Sequence, residues 1–294
     1  MASLITQVRA KLFIHASKKS MHALDGAYAS LLRGRSLDFE DLRPYEYGDQ
    51  VRDIDWKATA KQGEPLVKRT RATRMHTVLF VVDTGRGMTA LAHDERAKAD
   101  LAVIATGALG FLAVRHGDDV SVVYGDASEI RRIAPTGTEG GLEHALRRIQ
   151  EAATASTAPN ARDALLGYVA RTIAKRMIVV VVTDEQPVTD ETERMLRRLT
   201  VQHDVLWLTL RDADPVLDGA TAARRDVDSR WLVPDFVHGD AAVMQELAAQ
   251  EAADTARRDE LLRRMEISHA ELDGQDSAVP ALLQMLNRRS HARL

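Results

Sequence analysis

The chain has 294 residues, room for one large or two modest domains with a substantial core. Lys and Arg number 40 against 43 Asp and Glu, and the net charge of −3 gives no reason to expect nucleic acid or an anionic membrane as partner. No cysteine is present, which excludes disulfides, thiolate metal sites and thiol catalysis and suits a reducing compartment.

Residues 1–20 read as a helix in which Arg9, Lys11, Lys18 and Lys19 interrupt the apolar positions, with no signal-peptide core. Residues 34–74 carry charge of both signs and lack long apolar periods. "TVLFVVD" at 77–83 is a continuous buried strand, and 96–117 a mostly apolar helix ending at a glycine. Within that helix, "LAVIATGALGFLAV" is too short to span a bilayer and is broken by Gly107 and Gly110. The expectation is a soluble cytoplasmic protein without membrane insertion.

"DVSVVYG" at 119–125 is the next strand, followed by an amphipathic helix at 141–152 with Leu142, Ala145, Leu146 and Ile149 on one face. A helix around 161–175 leads into the strand "MIVVVVTD" at 177–184. A helix at 191–201 and a strand at 203–212 complete the alternation. Continuous apolar strands alternating with helices imply a doubly wound, mostly parallel α/β sheet covered on both faces. Beyond it lie a short apolar element at 230–236, a charged helix at 240–264 and a helical pattern at 279–289. The expected organisation is an N-terminal helix and charged segment at 1–76, the α/β domain at 77–212, and a helical C-terminal extension at 213–294 packed on the core.

Ligands of doubly wound sheets bind outside the carboxyl ends of the strands. Asp83 and Asp184 both end strands there, and two carboxylates in one crevice suit a hard divalent cation. The competing reading is that each caps a following turn or helix. Gly85, Gly87 and Ala90 form a weak G-x-G-x-x-A turn, but no second strand ends in an acid about 20 residues on, so a dinucleotide site is excluded. A P-loop is absent. Gly85 stands where a phosphotransfer aspartate would need its acidic partner.

These motifs resemble a von Willebrand factor A-like domain with its metal-ion-dependent adhesion site, whose first motif is Asp-x-Ser-x-Ser. By that resemblance Asp83 is the first carboxylate, Thr136 (or Thr138) the loop threonine and Asp184 the last aspartate, while Gly85 and Gly87 replace the serines. Upstream, the stretch 35–69 resembles the signature of the bacterial "domain of unknown function 58" family, with Phe39, Arg43, Tyr45, Gly48, Asp49, Arg52, Ile54, Asp55 and Trp56 on the pattern. The resemblance implies a MoxR-type AAA+ ATPase as partner, acting on an unknown client, and an adaptor or chaperone-like role rather than catalysis.

With the serines gone, the expected site is a degenerate one of Asp83, Thr136 and Asp184, weakly occupied by Mg²⁺ or Mn²⁺ or empty. The glycines alternatively serve only a tight turn. The signature charges are expected to form internal ion pairs, with a partner surface as the second reading and nucleic acid a distant third. A metal-dependent hydrolase built on Asp83 and Asp184 is the rival function, although no general base or nucleophile accompanies them in sequence.

Overall fold

The structure is a computed structural model, which describes residues 3–15, 28, 41–46, 54, 56–69, 76–213, 227 and 241–292. Its centre is a six-stranded sheet of β3 (Thr77–Asp83), β4 (Asp119–Gly125), β5 (Ile130–Thr136), β6 (Ile178–Asp184), β7 (Asp204–Leu210) and β8 (Ser268–Leu272), ordered 5-4-3-6-7-8. All pairings are parallel except β4 with β5. The doubly wound arrangement expected from the alternating pattern is therefore present.

Period two in the strands divides the core into two layers. Val78, Phe80 and Val82 of β3 join one cluster, and Leu79 and Val81 join the other. On the first face lie α1 (Leu4–His15), α3 (Lys98–Arg115), α4 (Glu139–Ala155) and α8 (Ala278–Ala292). The second face carries α5 (Arg162–Thr172), α6 (Asp190–Gln202) and part of α7 (Ala241–Arg264). Burial on both faces explains why these strands read as unbroken apolar runs.

Both flanks enter this body. Leu4, Ile5, Val8 and Leu12 of α1 are buried in the first layer, and the α1 N-terminus is held by Glu143, which accepts from the backbone N–H groups of Leu4 and Ile5. A carboxylate there complements the helix dipole. The expected boundary at residue 212 needs correction, because β8 pairs with β7 as a sixth strand and α8 packs over the same sheet. β8 reads "SHAEL", too short and polar to stand out inside a charged stretch. The helical C-terminal segment is present as α7 and α8; the apolar element at 230–236 lies outside the described residues.

A separate two-stranded sheet pairs β1 (Asp41–Pro44) with β2 (Leu66–Arg69), and α2 (Trp56–Gln62) lies between them in sequence. This is the β-containing segment expected upstream. Among the described residues, no helix is long and apolar enough to cross a membrane.

Candidate functional site

Asp83 and Asp184 reach the same rim because β3 and β6 are adjacent and parallel, in register from Val78 with Ile178 to Val82 with Val182. Both side chains are buried. Asp83 makes an Asx turn: Oδ1 accepts from the Gly85 N–H at 3.0 Å, and Oδ2 accepts from the Ala161 N–H at 2.9 Å. Burial pushes its carboxyl up to about 7, with the neighbouring Asp184 charge adding to the rise and the two backbone donors opposing it.

The loop that reaches the rim is 156–161, between α4 and α5, and it brings Asn160. The Asn160 amide donates to Asp184 Oδ2 at 2.7 Å, and its carbonyl accepts from the Gly87 N–H at 3.0 Å. A Cβ added to Gly85 would lie 2.4 Å from Asn160 Oδ1 and 2.5 Å from its backbone N and Cα. A Cβ on Gly87 would stand 2.9 Å from the same amide. The two glycines thus make room for Asn160.

Lys98, the first residue of α3, is 2% exposed and reaches in from the other side. Its Nζ lies 2.5 Å from Asp212 Oδ1 and 3.5 Å from Asp184 Oδ2. Sequence reasoning missed it, yet a signal existed: a lysine in the first helical turn runs against the helix dipole and calls for a local carboxylate. Arg162, also buried, begins α5 and donates to the carbonyls of Gln186 and Pro187 and to Thr192 Oγ1, with its guanidinium 5.7 Å above the Trp207 ring.

Thr136 is not at the rim, which corrects the expected ligand set. β5 folds back antiparallel on β4, so Thr136 pairs with Val120 while Ile130 pairs with Gly125 at the rim end. At about 3.4 Å per residue that puts Thr136 roughly 17 Å from the rim along the strand direction alone, with β4 lying between it and β3. Its hydroxyl lies 3.2 Å from that of Thr138, which caps α4 through the Gly141 N–H. The alternative threonine is therefore a helix cap.

These residues do not fit a divalent cation. Both Asp83 oxygens are taken by backbone donors, Asp184 Oδ2 by an amide and an ammonium, and the glycines supply no oxygen. Only Asp184 Oδ1 is a buried atom of this set without a hydrogen-bond partner among the described residues.

Of the signature residues, Phe39, Gly48, Asp49, Arg52 and Asp55 lie outside the described residues, and Arg43 sits in β1. Tyr45 N–H donates to the Pro65 carbonyl at 2.8 Å, while its side chain is exposed. Trp56, at the start of α2, is 64% exposed. The two aromatic side chains thus face solvent rather than the core.

A further acidic group, Asp259 and Glu271 with His269, gathers beside β8. Arg258 already donates to Asp259 and Glu271, and burial together with that guanidinium pushes His269 down to about 4. This is an ion-pair cluster organised on Arg258.

The model of the family described as "Protein of unknown function DUF58" matches residues 41–222. Uncharacterized proteins of Mycobacterium tuberculosis and Mycobacterium bovis are 28% identical over 200 residues, covering 64% of this chain and 59% of theirs. The chain thus spans about three fifths of the length of the curated relatives it matches. Among solved structures, an aerotolerance-related membrane protein from Bacteroides fragilis aligns over 72% of this chain and 99% of its own at 15% identity, TM-score 0.43. A von Willebrand factor type A protein from Catenulispora acidiphila aligns over 74% of this chain and 43% of its own at 11% identity, TM-score 0.39. With more than half of its length matched by the family model, including the signature segment from residue 41 onward, the chain belongs to the DUF58 family.

Proposed function

We propose that this protein is a non-enzymatic adaptor of the cytoplasm whose partner is a MoxR-type AAA+ ATPase, acting on a client protein. The family and the doubly wound domain support a protein-interaction role at the coarser level. The observation that carries the reading is Trp56, which is 64% exposed on the signature segment. An exposed Trp is costly to hydrate and is enriched at the energetic centres of protein interfaces. Tyr45 gives the same segment a second exposed aromatic. The ATPase itself is taken from the family resemblance.

The test is affinity capture from native lysate with ADP, with a non-hydrolysable ATP analogue and without nucleotide. Wild type is expected to recover an AAA+ ATPase, and Trp56→Ala to lose it with an unchanged melting temperature. Failure to recover an ATPase in any nucleotide state overturns the reading.

One feature favours the rival hydrolase: burial and the neighbouring Asp184 charge push the Asp83 carboxyl up to about 7, the range of acid–base groups. Both of its oxygens nevertheless accept backbone hydrogen bonds and are turned inward. Phosphoester turnover with a divalent metal, abolished by Asp184→Ala, would establish the rival.

A further inference from the structure

The rim has the carboxylates of a cation site and a cation that is part of the chain. Lys98 Nζ stands between Asp184 Oδ2 at 3.5 Å and Asp212 Oδ1 at 2.5 Å, with its side chain 2% exposed. A buried ammonium is held only where carboxylates compensate it, and a buried carboxylate only where a cation or donor does. Asn160 completes the arrangement by donating to Asp184 Oδ2 at 2.7 Å. Between them, a tethered ammonium and an amide supply the positive charge and the donors that Asp184 requires.

We infer that Lys98 is an intramolecular substitute for a divalent cation, so that the rim keeps its charge balance and shape without metal and excludes metal while the lysine is present. Three features oppose an incoming ion. The ammonium already carries positive charge at the carboxylates. The α3 N-terminus, where Lys98 begins the helix, adds the positive end of its dipole. Finally, Asn160 lies where ligands from the 83–87 turn would have to sit: no side chain fits at Gly85, where a Cβ would be 2.4 Å from Asn160 Oδ1. The converse is also expected. Removing the lysine takes the ammonium from between Asp212 and Asp184, whose Oδ1 has no hydrogen-bond partner among the described residues. Two carboxylates and water suit Mg²⁺ or Mn²⁺, which keep several waters in their octahedra. None of this depends on which partner docks elsewhere.

The experiment titrates Mn²⁺ into metal-stripped wild type, Lys98→Met, Lys98→Arg and Lys98→Met/Asp184→Asn. Electron paramagnetic resonance reads free Mn²⁺, and thermal melts run alongside. Wild type and Lys98→Arg are expected to show no saturable binding at low-millimolar Mn²⁺ and no shift in melting temperature. Lys98→Met is expected to bind at least about tenfold more tightly than wild type, with binding lost in the double variant. Should Lys98→Met unfold without metal, Mn²⁺ is expected to restore its cooperative melt. Saturable wild-type binding abolished by Asp184→Asn overturns the inference. So does a folded Lys98→Met that binds no better than wild type, or an unfolded one that Mn²⁺ does not rescue.

Discussion

Gly85 and Asn160 are packed so closely that the absent side chain of the first is the space occupied by the second: a Cβ on Gly85 would lie 2.4 Å from Asn160 Oδ1. The glycine is therefore a packing requirement of this rim as well as a loss of a hydroxyl ligand. The turn holds its place through backbone N–H groups, Gly85 to Asp83 and Gly87 to Asn160.

Gly85→Ser is accordingly expected to cost about 1–3 kcal/mol by overpacking. Asn160→Ala should not rescue it, because the Asn160 backbone N and Cα also stand at 2.5 Å. At Gly87 the nearest atoms to an added Cβ all belong to the Asn160 side-chain amide, so Asn160→Ala should relieve Gly87→Ser. Urea denaturation of the single and double variants measures the difference, and equal rescue at both positions would contradict the geometry.

Lys98→Ala is expected to lower stability by about 2–4 kcal/mol, below the full penalty for breaking a buried pair because the Asp212 side chain is 43% exposed. Lys98→Arg, which keeps the charge, should lose less. Chemical denaturation in the presence of a chelator reads both, and equal losses would mean that packing rather than charge is at stake.

Asp83 gives a pH signature. Its carboxyl, pushed up to about 7 by burial and the Asp184 charge, holds a proton in the folded protein that the unfolded chain releases above about pH 4. The stability this provides is full below about pH 4 and is lost as pH rises through about 7. Asp83→Asn has no such slope. The stability of wild type relative to Asp83→Asn should therefore fall across that window by on the order of 2–4 kcal/mol. A constant difference would mean that Asp83 titrates as an ordinary aspartate.

A chain ended after residue 212 should fail to give a cooperative melt. It would bare the β7 edge and remove Leu272, Leu282, Met285 and Leu286, all buried in the first layer. Circular dichroism and solubility of the truncated protein test this directly, and a soluble, sharply melting product would show that the chain folds without its C-terminal segment.

The sequence was most legible where burial is two-sided. β3, β6 and β7 are continuous apolar runs because both faces are covered, whereas a strand buried on one face alternates apolar with polar residues. β5 and β8 escaped notice for the opposite reason. β5 lies at the sheet edge with most of its residues partly or fully exposed and carries Pro135, which edge strands tolerate. Missing that strand is what misplaced Thr136, since an unseen reversal moves a residue to the other end of the sheet. Asp83 and Asp184 were readable as strand ends. Asn160 was not, because a loop of small residues carries no period, and Lys98 looked like a polar interruption of an apolar helix.

The contact between the first and last described helices has a consequence for biogenesis. Lys11 of α1 meets Asp276, just before α8, across 265 residues of chain, and the two helices cover one face together. At cellular synthesis rates of about 5–20 residues per second, that separation amounts to roughly 15–50 s on the ribosome. Throughout that interval Leu4, Ile5, Val8 and Leu12 lack part of their final cover. The nascent chain would thus carry an apolar stripe that chaperones can hold, and this layer closes only once α8 has been synthesised.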